Sequence, residues 1–222
     1  HIAAFLVEPI QGEAGVYVPD EGYLKNASEL CKKHNVLFIA DEVQTGIART
    51  GKLIACHHEN VQPDILILGK ALSGGMYPVS AVLANDNIMQ VIHPGQHGST
   101  FGGNPLACAV AIAALDVVEE EKLSERAEEL GEFFRAEIQK IIAKTDLIYH
   151  VRGKGLLNAI LVNDTPESPT AWNLCMQFAE NGLLAKPTHG NIIRLAPPLV
   201  ITKEQLLECV AIIEKVILNY KK

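Results

Sequence analysis

Lys70 stands one glycine beyond an apolar run, "ILIL" at 65–68. An ammonium is seldom buried without a partner, so a lysine at the mouth of an apolar strand either reaches water or meets a group that needs an amine. Asp41 ends an earlier run of the same kind, "VLFIAD" at 36–41. If the two runs are neighbouring strands of an open parallel sheet, their carboxyl ends share the edge where such sheets bind ligands. A structural ion pair is the plain reading of that meeting. The sharper reading is chemical. A neutral lysine amine attacks an aldehyde to give a Schiff base. A carboxylate opposite can hold a protonated pyridine nitrogen and so make the ring an electron sink. A third segment, "HGSTFGGNP" at 97–105, offers hydroxyls at Ser99 and Thr100 and accessible amides at Gly102 and Gly103. It then enters a helix, whose N-terminus favours anions; its plain reading is a glycine turn with a helix cap. Amine, acid and anion cradle together match what pyridoxal 5′-phosphate (PLP) requires. The segment "GKALSGG" is no ATP-binding loop, because no glycine stands five residues before Gly69.

The elements that must position these groups are legible from patterning. "AAFLVEP" (3–9), "VLFIADE" (36–42) and "ILILGK" (65–70) are short apolar runs that end in polar groups. Runs without alternation suit strands buried on both faces, as in a parallel sheet. Between the first two, Leu24, Ala27, Leu30 and Cys31 fall at helical spacing, with Asp20 and Glu21 suited to the positive end of that helix. Strand, helix, strand makes a right-handed crossover. "PVSAVLA" (78–84) reads as a further strand. The alanine-rich stretch 104–123 reads as a helix capped by Asn104 with Pro105 in its first turn. A second helix follows over 124–144, with Leu130, Phe133, Phe134, Ile138 and Ile141 on one stripe. Beyond it the texture changes to two strands about a Gly-Lys-Gly turn (153–155), a helix over 170–181, the strands "GLLAKP" and "NIIRLAPP", and a last helix over 203–219. This is an α/β chain with a mostly parallel sheet and a smaller α+β domain after it.

Composition narrows the class. The chain has 222 residues, 48% of them apolar, enough for a real core. Its net charge of −7 without a basic block argues against nucleic acid or an anionic membrane as partner. Five scattered cysteines without a CxxC pair read as reduced thiols of a cytosol-like or matrix compartment. "CHH" at 56–58 lacks a second ligand cluster, so no metal site is expected. The opening "HIAAFLVEPI" begins mid-strand. We therefore expect the later part of a longer protein, with any targeting peptide upstream. His93, His97 and His189 read as turn or surface residues, and Trp172 as core or interface. Arg49 and Arg152 have structural pairs that the sequence does not name.

Four blocks, "VEPIQGEAG", "ADEVQTGIARTG", "LGKALSGGMYPVSAV" and "HGSTFGGNPLACAVA", resemble the class III (ω-amino acid) aminotransferases of PLP fold type I. "RGKGLLNA" and "GLLAKPTHGNIIRLAPPLVIT" are more similar to the ornithine branch of that family than to the acetylornithine or 4-aminobutyrate branches. The resemblance covers the chain and corresponds to the later half of the family's length. It implies residues 1–122 as the later part of a PLP-binding large domain and 123–222 as a helix linker and small C-terminal domain. It implies Lys70 as the residue that carries PLP and moves the proton, and Asp41 as the partner of the pyridinium nitrogen. Val43 would pack on a ring face, though plain core fits it equally. Gln44 would reach the ring's phenolic oxygen. Ser99 and Thr100 would contact phosphate across a dimer interface, so at least a homodimer with shared sites is implied. Glu13 and Arg194 would form a switch pair. Paired, they neutralise each other while ornithine binds; released, Arg194 clamps the α-carboxylate of glutamate or 2-oxoglutarate. The bland alternative is an ion pair tying two domains together. Glu8 looks structural. The implied activity is transfer of the δ-amino group of ornithine to 2-oxoglutarate. Other ω-amino donors, or a non-catalytic module of the same fold, are the alternatives.

Overall fold

The structure is a computed structural model that describes residues 1–221. The chain divides into two compact units. The first comprises residues 1–9, 19–48 and 52–123. Its sheet runs β1 (Ala4–Val7), β2 (Leu37–Asp41), β3 (Ile65–Leu68) and β4 (Ala81–Ala84), in that spatial order. β1, β2 and β3 are parallel, and β4 is antiparallel to β3. The crossover helix α1 (Tyr23–Lys33) joins β1 to β2. Its first helical residue lies beyond Asp20 and Glu21, which precede the left-handed Gly22 instead of sitting in the first turn. Leu24 and Cys31 are buried, while Leu30 is 58% exposed because it lies on the flank of their stripe. After β4 come the short α2 (Asp86–Met89) and the long α3 (Pro105–Glu120). The Asn104 side chain caps α3 by accepting from Ala107 N at 2.9 Å.

Within this chain, α1 and α3 cover one face of the sheet. On β2, Phe38 and Ala40 are buried, and Leu37, Ile39 and Asp41 only half-buried. Phe38, Ala40 and Leu68 share a core with Leu24 and Cys31 of α1, packed also by Ala111, Leu115 and Val118 of α3. Register places Leu6, Ile39, Ile65, Ile67 and Val82 on the opposite face, with Asp41 among them. Leu6 and Val82 on that face are exposed.

The second unit comprises residues 10–18, 49–51 and 124–222. It is built on α4 (Leu123–Ile142), which starts at the boundary residue, then β5 (Ile148–Lys154), β6 (Leu157–Val162), α5 (Thr170–Glu180), β7 (Lys186–Thr188), β8 (Ile192–Leu195) and α6 (Lys203–Asn219). The four strands pair antiparallel in the order β5-β6-β8-β7. Gly153 and Lys154 pair within β5, so the β5–β6 reversal falls on Gly155 and Leu156, slightly later than the Gly-Lys-Gly reading placed it. A Cβ on Gly131 of α4 would stand 1.9 Å from the Gly155 carbonyl oxygen, so helix and turn pack without room for a side chain. α6 begins with a capping box in which the Thr202 side chain accepts from Gln205 N and the Gln205 side chain accepts from Thr202 N. Trp172 is 58% exposed on α5 and takes no part in the core.

Every residue of β6 is buried, because both faces of its sheet are covered. Ile160 and Val162 join Phe134, Ile138, Leu174, Phe178, Leu206 and Ile213 in the main core. Leu157, Ala159 and Leu161 pack with Ile192 against Ile10 and Val16. The segment 10–18 therefore roofs the second face. It folds back on itself through the Gln11–Tyr17 bridge. Arg152 clamps it, donating from Nε and Nη2 to the Gly15 carbonyl at 3.1 and 2.8 Å while stacking 3.8 Å over the Tyr17 ring.

Arg49 is half-buried in this unit and donates to the carbonyls of Leu156 (3.1 Å) and Pro197 (2.6 Å) rather than to a carboxylate. Burial draws its pKa down to about 10. In the main core, burial pushes the Cys175 thiol up to about 12 from its ordinary 9.0. An unfolded chain ionises this thiol near 9.0 while the folded one keeps its proton. The contribution to stability is thus full below that pH and is lost as pH rises toward 12. Urea midpoints are expected to fall over that window, and to fall less in Cys175→Ala; equal falls would contradict the assignment.

Candidate active site

In the first unit, the carboxyl ends of β1, β2 and β3 lie side by side. Val7 pairs with Ala40, and Asp41 with Ile67. Glu8, Asp41 and Lys70 therefore leave the sheet along one edge. Asp41 is half-buried, and its Oδ1 accepts the Val43 amide at 3.1 Å, which turns the chain and fixes the carboxylate. Glu42, one residue on, points the other way and is 1% exposed. Its Oε1 accepts the Cys56 amide at 2.8 Å, and its Oε2 accepts the Thr45 hydroxyl. The fully buried Cys56 thiol is pushed up, first by burial and then by the Glu42 charge. A buried carboxylate thus pins the loop that carries Val43 and Gln44. Sequence reading passed over Glu42; its signal was the two-residue period of the strand, which sends neighbours of Asp41 into the core.

Val43 reaches across to Gly69, the residue before Lys70. A Cβ built on Gly69 would meet Val43 Cγ1 at 3.4 Å and Ser80 Cβ at 3.8 Å. Lys70 itself has φ 43, a left-handed backbone that a non-glycine residue adopts at a cost of about 1–3 kcal/mol and that clusters at functional sites. It opens a short 3-10 turn, Lys70–Ser73, closed by Gly74 at φ 61. The lysine is exposed and lines an open groove of about 960 Å³ together with Val79, Ser80, Ser99 and the Gly102–Gly103 pair. Neither Asp41, Val43, Gln44 nor Thr100 is among the groove-lining residues. Gln44 is half-buried and Thr100 exposed.

This donor set fits the group inferred from the sequence. Lys70 Nζ makes no hydrogen bond or ion pair among the described residues. Gly103 has φ 66 and open space where a Cβ would stand, and Gly102 has only the Ser99 side chain and carbonyl there. An amine, a carboxylate at the neighbouring strand end, a hydroxyl and accessible amides are the chemistry that an aldehyde, a ring nitrogen and a phosphate call for.

Glu13 and Arg194 lie in the second unit and meet there. Glu13 Oε2 accepts from Arg194 Nη1 at 2.9 Å, so the pair does not join two units. Arg194 alternates with the core residues Ile193 and Leu195 on β8 and therefore faces the 10–18 roof, where it also donates to the Gly12 carbonyl at 3.3 Å. A second cation, Lys186, holds Glu13 Oε1 at 3.2 Å. Hydrogen bonds from Lys186 and Arg194, with their charges, keep the Glu13 carboxyl below its ordinary range. The sequence reading did not name Lys186. Its signal was the hairpin around His189–Asn191, whose register sets residue 186 opposite 194.

The class III aminotransferase family matches residues 1–217 of the chain. The chain belongs to the class III aminotransferases. It is 61% identical over 220 residues to the mitochondrial ornithine aminotransferase of Rattus norvegicus, covering 99% of this chain and 49% of that protein. It is 63% identical over 219 residues to the mitochondrial ornithine aminotransferase of Drosophila melanogaster, covering 99% and 50%. Among solved structures, the acetylornithine aminotransferase of Elizabethkingia anophelis is 85% identical with a TM-score of 0.96, over 98% of this chain and 57% of that one. The ornithine aminotransferase of Toxoplasma gondii, described with partial occupancy of PLP at its active site, is 53% identical with a TM-score of 0.93, over 97% and 50%. The chain thus spans about half the length of the relatives it matches. Fold type I architecture follows from this membership.

Glu42→Ala should leave the buried Cys56 amide without its acceptor, at a cost of about 1–3 kcal/mol. Urea unfolding of the full-length protein would register this as a lowered midpoint, with a smaller loss in Glu42→Gln; an unshifted midpoint in the alanine variant would rule out the clamp.

Proposed function

We propose that the full-length protein is an ornithine:2-oxo-acid aminotransferase. It would move the δ-amino group of L-ornithine to 2-oxoglutarate, giving glutamate and glutamate 5-semialdehyde, which cyclises to pyrroline-5-carboxylate. The observation that carries the chemistry is the arrival of Asp41 and Lys70 at neighbouring carboxyl ends of a parallel sheet, with Val43 beside Gly69. When bound, PLP supplies an aldehyde that captures the substrate amine and a ring that draws electrons from the reacting carbon. In this reading Lys70 Nζ holds the cofactor until substrate arrives, then takes and returns the proton at the substrate carbon. Asp41 keeps the ring nitrogen protonated. Val43 packs on a ring face, and Gln44 donates to the ring oxygen. Ser99, Thr100 and the amides after them bind phosphate.

The phosphate contacts are read as reaching a second copy, in a homodimer or higher homo-oligomer. The exposed Met76, Phe101 and Leu106 are the large apolar side chains such a copy would cover. Residues 1–122 belong in this reading to the cofactor-binding large domain, apart from 10–18 and 49–51, which fold with the second unit, and 123–222 belong to the small domain.

The Glu13–Arg194 pair supports the choice of donor. The δ-carbon of ornithine bears no carboxylate, whereas the α-carbon of glutamate does. An arginine neutralised by Glu13 suits the first substrate, and one released from it suits the second. The name of the 85% identical structure favours acetylornithine as a second reading.

Two experiments on the full-length enzyme decide. Lys70→Ala should abolish both the visible absorption of bound cofactor and pyrroline-5-carboxylate formation from ornithine; survival of either sinks the assignment of Lys70. Glu13→Ala should raise turnover of glutamate relative to ornithine. An unchanged ratio, or a wild-type enzyme that uses N-acetylornithine in preference to ornithine, would turn the reading toward the acetylated donor.

A further inference from the structure

We infer that Lys186 is a positioning residue of the substrate pair: it receives the Glu13 carboxylate when Arg194 lets it go, and so sets how easily Arg194 is freed for a substrate α-carboxylate. The inference rests on the reading of Glu13 and Arg194 given above.

Lys186 and Arg194 are register partners on β7 and β8. Like charges directly opposite on paired strands repel. Glu13 relieves that repulsion by giving one oxygen to each, Oε1 to Lys186 at 3.2 Å and Oε2 to Arg194 at 2.9 Å. Its backbone does not have to move for this bond to change hands. Thr188 Oγ1 donates to the Glu13 carbonyl at 2.7 Å, and Arg152 holds the Gly15 carbonyl. Only the Glu13 side chain must rotate.

Exposure gives the exchange a direction. Arg194 has 17% of its side chain exposed, against 62% for Lys186 and 57% for Glu13. A carboxylate leaving Arg194 for Lys186 moves toward water and stays paired. Arg194, steadied by the Gly12 carbonyl, then presents its fork to an incoming carboxylate. Charge balance follows the same course. Two cations and one carboxylate become two cations and two carboxylates once an α-carboxylate binds. Without Lys186, Glu13 and the substrate carboxylate would compete for one guanidinium. The α-carboxylate substrates should suffer from that competition more than the δ-amine does.

The test uses the full-length, cofactor-loaded enzyme. Lys186→Met should shift the ratio of kcat/KM values toward ornithine and against glutamate by about two- to fivefold, the span expected of an exposed charge pair, with KM for glutamate carrying the change. Calorimetry with glutarate as probe should show its Kd weakened to a similar degree. Lys186→Arg should restore both. In a Glu13→Gln background, Lys186→Met should have no further effect, because Lys186 acts through that carboxylate. Equal loss for both donors, or a loss that persists in the Glu13→Gln background, overturns the role. An enzyme that turns over neither donor refutes the functional reading itself, whereas one that turns over both at an unaltered ratio in Lys186→Met refutes Lys186 alone.

Discussion

The two-residue period of β2 separates two adjacent carboxylates, and the candidate site depends on that separation. Phe38 and Ala40 face the core, so Asp41 must face away from it, and Glu42 must turn back in. A carboxylate within a core is costly unless its oxygens are taken up. Here the Cys56 amide and the Thr45 hydroxyl take them up. The loop after β2 is thereby tied down from beneath. Asp41, Val43 and Gln44 stand on a rigid base instead of a free turn, and the strain at Lys70 can be borne because the strand ends around it are set. A slip of one residue in β2 would exchange the two acids, burying the one meant for the edge and exposing the clamp.

The second unit solves a different problem. Its antiparallel sheet has two apolar faces, and the helices α4, α5 and α6 serve only the main core. Ile10 and Val16 serve the other face. That roof brings Glu13 to Arg194 and Lys186, so a packing requirement also sets the three charges together. The pairing is polar and exposed on one side. Gly15, at φ 123 and with Ile192 Cδ1 only 2.6 Å from where its Cβ would stand, lets the roof sit close enough for this contact.

Family membership and substrate rest on different residues. In the proposed reading, the strand-end lysine and acid would serve any PLP-dependent aminotransferase. The choice of donor falls to groups that meet the substrate's far end and its carboxylates. The names carried by similar proteins divide on this point, ornithine for the rat and fly enzymes and acetylornithine for the 85% identical structure. In the proposed reading, Glu13, Arg194 and Lys186 are the part of that choice held within this chain.

Much of the architecture was legible from the chain alone. Helices α3 and α4 follow from a cap and an apolar stripe, which are local and act within a few residues. The strands β1, β2 and β3 follow from apolar runs, and Lys70 and Asp41 from their place at the ends of those runs. What covers the other face of the first sheet was not legible, since an unbroken apolar run does not name its neighbours. Nor were Lys186, the buried Glu42 or the carbonyl partners of Arg49, because each depends on which residues distant in sequence become neighbours. Local pattern determined the elements and the chemistry they could offer; only the tertiary structure decided which side chains meet, because register and packing are settled between segments rather than within them.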